Sequence, residues 1–180
     1  MKSIVKYFRK RALMQFVEKR KSCIIPDINT YPTIAVLIDL EQLDQINAVK
    51  SKLSERFIIK EIRFFAIADT LPEKPGPDAP VCLLSKQDFH FWGIMKEERK
   101  KELSLLFYDI FLDLSNNVDE LLAHDYFITV IKSSMRVNFG GSFNSLYDIV
   151  IDSKKNENML YKIDVLNKYL NMLGGKNNEK

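Results

Sequence analysis

Apolar residues recur along this chain with two different periods, and the switches between them mark out its elements. From Ser3 to Lys21, Val5, Phe8, Ala12, Leu13, Phe16 and Val17 fall at three- and four-residue spacing among basic side chains, which predicts an amphipathic helix. Cys23 to Pro32 breaks it, with Pro26 and Pro32 bounding a polar link. The run Thr33-Ile-Ala-Val-Leu-Ile-Asp39 is too short for a helix and rich in β-branched residues, the pattern of a strand buried on both faces. Glu41 to Phe57 returns to a helical period through Leu43, Ile46, Val49, Leu53 and Phe57. Ile58 to Ala68 has strand composition again, and Thr70 to Pro80 holds four of the six prolines, which predicts a surface loop.

The alternation continues through a strand at Val81–Ser85, a charged helix at Lys96–Leu106 and a strand at Tyr108–Leu114. Residues 118–133 mix helical and strand signals and are read as one helix, followed by a short strand from Met135 to Phe139 that ends at Gly140-Gly141. Tyr147–Ile151 reads as a further strand. Met159, Ile163, Leu166, Leu170 and Leu173 then define the clearest helix, capped by Gly174-Gly175. Strands alternating with helices need crossover connections. The expected fold is therefore α/β: a three-layer, Rossmann-like, mainly parallel sheet covered on both faces, with an N-terminal basic amphipathic helix as an appendage. Its organisation is a basic helix over 1–22, a single domain over 33–173 and a flexible tail over 174–180.

Length and composition agree with one ordinary globular domain: 180 residues, 46% hydrophobic and 28% charged. Charge changes the picture more. Residues 1–22 hold Lys2, Lys6, Arg9, Lys10, Arg11, Lys19, Arg20 and Lys21 against Glu18 alone, a net +7. The remaining 158 residues carry 19 basic and 23 acidic groups, a net −4. The basicity is local to the N-terminal helix, unlike a nucleic-acid-binding domain that is basic on its folded body. Cys23 and Cys82 have no paired-ligand spacing, so neither a disulfide framework nor a zinc site is expected. No stretch is apolar enough to span a bilayer, and no secretory signal is evident, which predicts a cytoplasmic protein.

Ligands of open α/β sheets bind at the carboxyl ends of the strands. Three strands here end in an apolar residue followed by Asp, at Asp39, Asp113 and Asp152. With Ser115, Asn116, Gly140 and Gly141 they form the candidate strand-end ligand site. Asp, Ser and Asn also cap helices and make turns routinely, and that structural role is the leading one, because no close Asp-x-Asp pair suggests a metal loop. No metal site is expected, and no cofactor is named by the sequence. No glycine precedes Gly76, so the first strand cannot lead into a glycine-rich phosphate turn. Asp88 and His90 would share a face of an extended segment as an acid/base pair, but an aromatic plug around Phe89, Phe91 and Trp92 is the plainer reading. His124 is expected to be solvated.

Several segments resemble an uncharacterised bacterial family of about this length, a domain of unknown function. They are the basic helix, Ser85-Lys-Gln-Asp-Phe-His-Phe-Trp-Gly93, Tyr108-Asp-Ile-Phe-Leu-Asp-Leu-Ser115 and Met135-Arg-Val-Asn-Phe-Gly140. The chain departs from the family pattern at His90, at the order of Phe91-Trp92 and at Gly141. The resemblance implies a helix over 118–133 and supplies no activity. More distantly, the run from Tyr108 to Gly140 is similar to half of a glycosyltransferase that uses nucleotide-sugar donors, a fold-level analogy.

The function expected from these features is a non-catalytic binding or adaptor module attached to a surface or partner by its basic helix. Its candidate contact residues are Lys6, Phe8, Arg9, Lys10 and Phe16. The partner is an anionic membrane surface, at the inner face, or a protein; RNA is the weaker reading and DNA is not expected. The alternative is a small-ligand enzyme or nucleotide-sugar binder at the strand ends. The apolar stripe of the helix has about as good a claim to pack on the protein's own sheet.

Overall fold

The computed structural model of the chain describes residues 11, 13–18, 32–68, 81–90, 94–116, 122–140, 144–152 and 158–174. Its centre is β1 (Thr33–Ile38), whose side chains alternate between two cores. Ile34, Val36 and Ile38 enter one, Ala35 and Leu37 the other, so the strand is buried on both faces as its composition requires. β2 (Glu61–Ala68) and β4 (Phe107–Asp113) pair with β1 on either side, in parallel. With β3 (Val81–Ser85), β5 (Lys132–Asn138) and β6 (Ile149–Val150) they form a six-stranded sheet in the order β3-β2-β1-β4-β5-β6, every pair parallel. This is the doubly wound order, in which the chain runs outward from β1 in one direction and from β4 in the other.

Helices close both faces. α1 (Ile46–Ser54) and α4 (Met159–Gly174) cover the first core with Ile46, Val49, Leu53, Met159, Ile163, Leu166 and Leu170. α2 (Glu97–Ser104) and α3 (Leu122–Val130) cover the second with Leu103, Phe127, Ile128 and Val130. The mainly parallel three-layer α/β reading therefore holds. Some bounds move. The helical stretch before β2 opens as a tight 3-10 turn over Leu40–Gln45, closed by the Gln42 N–H on the Asp39 carbonyl at 3.0 Å, before α1 begins. The helix expected to run to Ser133 stops at Val130, because Lys132 and Ser133 pair with Phe107 and Tyr108 of β4; sheet pairing overrides local helical preference. The strand-like run Phe127-Ile-Thr-Val lies inside α3, since burial against Phe65 and Phe111 decides its fate. The strand expected over Tyr147–Ile151 shrinks to two residues.

The N-terminal helix, described over 11 and 13–18, is not a free appendage along this stretch. Leu13 is 5% exposed and belongs to the second core, with Phe16 and Val17 packed against it. The Phe16 ring lies 4.6 Å from the guanidinium of Arg136, a buried β5 side chain that also donates to the Ile131 carbonyl at 2.7 Å. Arg11, Met14, Gln15 and Glu18 face outward. Among the described residues no helix is long and apolar enough to cross a membrane. Leu13→Ala is expected to lower stability by about 2–5 kcal/mol in denaturant unfolding. A loss under about 0.5 kcal/mol, typical of surface positions, would mean that the helix does not share the core.

Candidate functional site

The doubly wound order puts its switch point between β1 and β4, where neighbouring connections leave on opposite faces of the sheet. The polar groups gathered there start with Asp113, the last residue of β4, only 2% exposed. A carboxylate buried this deeply is costly unless its lone pairs are filled. Here all four are. Oδ1 accepts from the Ser115 N–H at 3.1 Å and the Ser115 hydroxyl at 2.7 Å. Oδ2 accepts from the Tyr147 hydroxyl in a short bond and lies 3.2 Å from His124 Nε2.

His124 of α3 is the second key. Its Nε2 faces both Asp113 and, at 2.9 Å, the Ser115 oxygen, while Nδ1 lies 3.8 Å from Asp125. Burial disfavours the imidazolium, but the Asp113 charge and hydrogen bond, with Asp125 adding to them, outweigh it and raise the pKa to about 10. Burial likewise pushes the Asp113 carboxyl up, and the His124 charge with the bonds from His124, Tyr147 and Ser115 holds it below its usual 3.8. The Tyr147 phenol, buried beside that carboxylate, is driven well above its ordinary value. The Asn138 amide, from the β5 residue paired with Asp113, pulls the other way.

This geometry limits the chemistry. Ser115 and His124 touch as a nucleophile and base would, yet the hydroxyl donates to Asp113 and the Asp113 charge favours the imidazolium form of His124. A protonated imidazole cannot accept the serine proton. The saturated Asp113 has no lone pair left for a cation, and among the described residues no group of three or more His, Cys, Asp and Glu side chains could hold a metal.

A second set of bonds ties down the loop after β4. The Leu114 N–H donates to the Leu37 carbonyl at 2.9 Å, and the Asn116 N–H to Asp39 Oδ2 at 2.8 Å. Lys162, 2% exposed on α4, donates from Nζ to the Leu114 carbonyl at 3.1 Å and to Asn116 Oδ1 at 2.8 Å. The Asp39 N–H in turn donates to Gln42 Oε1 at 3.3 Å, holding the start of the tight turn.

Of the strand-end candidates, Asp39, Asp113, Ser115 and Asn116 are thus brought together. Gly140 sits past the end of β5 with φ 85°, a left-handed turn conformation suited to glycine. Gly141 lies outside the described residues. Asp152 is exposed past β6, two strands away from β4. His124, expected in solvent, has a side chain only 12% exposed, a correction forced by its pairing with Asp113. Sequence reasoning also missed Tyr147, Asn138 and Lys162. Lys162 had a signal, since it interrupts the apolar stripe of α4 beside Met159, Ile163 and Leu166. Asp88 ends a 3-10 turn, and its carboxylate accepts from the Ser85 N–H at 2.7 Å and faces Arg99 at 3.7 Å. Of the helix contact candidates, Phe16 is half-buried under Arg136, and Lys6, Phe8, Arg9 and Lys10 lie outside the described residues.

Two expectations follow. Asp113→Asn removes one partner of a buried pair and is expected to cost about 3–5 kcal/mol in denaturant unfolding; a loss near zero would mean that the pair is screened by water. For pH, the raised His124 pKa gives stability that is complete below 6.5 and lost as pH climbs through about 10. The lowered Asp113 pKa gives stability present above 3.8 and lost on acidification below it. His124→Gln should therefore flatten the alkaline decline in a pH series of thermal unfolding. A decline of unchanged size would contradict the assignment.

The segments carrying the family likeness now have places: Ser85 to Asp88 turns out of β3, Tyr108 to Ser115 supplies β4 and its locked end, and Met135 to Gly140 supplies β5 and its turn. No curated protein and no solved structure matches the chain with significance. The model of a family of unknown function, DUF6913, matches residues 2–173, nearly all of the sequence, and the chain belongs to that family.

Proposed function

We propose that this protein is a non-catalytic binding module that attaches to an anionic membrane surface through its N-terminal helix. The observation that carries the reading is the segregation of charge, +7 on residues 1–22 against −4 on the rest. A bilayer of anionic lipid attracts the helix and repels the body, so approach is oriented as well as favourable. The switch-point network supports binding over catalysis, because its carboxylate, imidazole and hydroxyl are occupied by one another. The protein on this reading is cytoplasmic and peripheral at the inner membrane face, with Lys6, Arg9 and Lys10 meeting lipid phosphates.

The test is co-sedimentation of the full chain with vesicles of phosphatidylglycerol and phosphatidylcholine, against phosphatidylcholine alone. Binding should appear only on the anionic vesicles and fall as salt rises. Replacing Lys6, Arg9 and Lys10 together by Gln should weaken it about a hundredfold, at roughly 1 kcal/mol for each charge near the surface. Equal binding to both vesicle types, or none, contradicts the reading.

A second reading, a small-ligand or nucleotide-sugar site at the strand ends, draws on the convergence of Asp39, Asp113, Ser115, Asn116 and Lys162 at the switch point. A nucleotide or nucleotide sugar at a hundred times its Kd would add about 2.7 kcal/mol to stability. Thermal unfolding unchanged across such compounds would remove it.

A further inference from the structure

We infer that the N-terminal helix is a releasable strap, whose one apolar stripe serves two mutually exclusive partners, the protein's own second core and the acyl region of an anionic membrane. The inference rests on the membrane reading and adds a regulation to it. Leu13, Phe16 and Val17 are the residues that would enter a bilayer, and they are also the residues packed on the body. A side chain cannot be buried in both places. The affinity measured for a membrane is then the intrinsic affinity of the helix multiplied by the fraction of molecules in which it is undocked.

The docked state has an identifiable holding group on the body side. Arg136 is buried on β5, anchored by its donation to the Ile131 carbonyl and by its backbone N–H on Asp148 Oδ2 at 2.7 Å, and it presents its guanidinium to the Phe16 ring. A planar, delocalised cation on an aromatic face is an interaction that lysine reproduces poorly. Release would uncover Arg136 and the neighbouring part of the second core.

Because Arg136 lies on the body, changing it weakens docking while leaving the membrane-seeking helix intact. The experiment measures vesicle binding by wild type, Arg136→Lys and Arg136→Met on phosphatidylglycerol–phosphatidylcholine vesicles, with hydrogen exchange of the wild type in their presence and absence. Both variants should bind about threefold to thirtyfold more tightly than wild type. Vesicles should also raise exchange in residues 132–138 and 144–150 of the wild-type body. Arg136→Lys keeps the buried cation, and the wild-type exchange needs no variant at all, so a misfolded Arg136→Met leaves the test intact. Wild-type binding with unchanged or weaker binding by Arg136→Lys, and no gain in exchange on the body, would overturn the strap while the membrane reading stands. Absence of binding by all three proteins would overturn the membrane reading itself, and the strap with it.

Discussion

A carboxylate removed from water at the end of β4 is the constraint around which this fold is arranged. Left bare, Asp113 would be too costly to keep ionised among Phe111, Leu112 and Leu114. It is kept ionised by one cation and three hydrogen-bond donors drawn from three places. His124 comes from α3, Tyr147 from the turn before β6, and Ser115 from the chain just past the strand. Each partner fixes the element that carries it, so one charge sets the position of α3 over the second core and the approach of the β6 connection.

The same end of the sheet is tied from the opposite face. Lys162 reaches from α4 to the Leu114 carbonyl and the Asn116 side chain, and Asp39 takes the Asn116 N–H. The segment after β4 is thereby held between helices of both layers. Doubly wound sheets place their ligands in this crevice, and here much of its polar capacity is spent within the chain. That is why we rest the proposed function on the charge of the N-terminal helix and not on a reactive group at the strand ends.

Much of the sheet was legible in the sequence because β1, β3 and β4 are short apolar runs bounded by polar or turn residues, and because α1 and α4 keep a helical period. Asp39, Asp113, Ser115 and Asn116 were legible too, since an acid after an apolar run marks a strand end. Their partners were not. His124 and Tyr147 lie 11 and 34 residues from Asp113 in sequence, on elements whose approach is set by the whole topology. A histidine in a polar-looking stretch carries no local mark of burial. Arg136 was hidden likewise: in β5 it alternates with Met135 and Val137 as a solvent-facing residue would, yet its strand partner Phe111 belongs to the second core and Phe16 lies over its guanidinium.

The account depends on His124 being a cation that belongs to Asp113. Its charge state can be read directly from imidazole nitrogen chemical shifts in a pH titration of the full chain, where His90, the only other histidine, is assigned through a His90→Gln variant. The account predicts a doubly protonated His124 ring throughout the neutral range, with deprotonation near pH 10. A neutral ring at pH 7, titrating near the ordinary 6.5, would contradict it and return His124 and Ser115 to the list of groups free for chemistry.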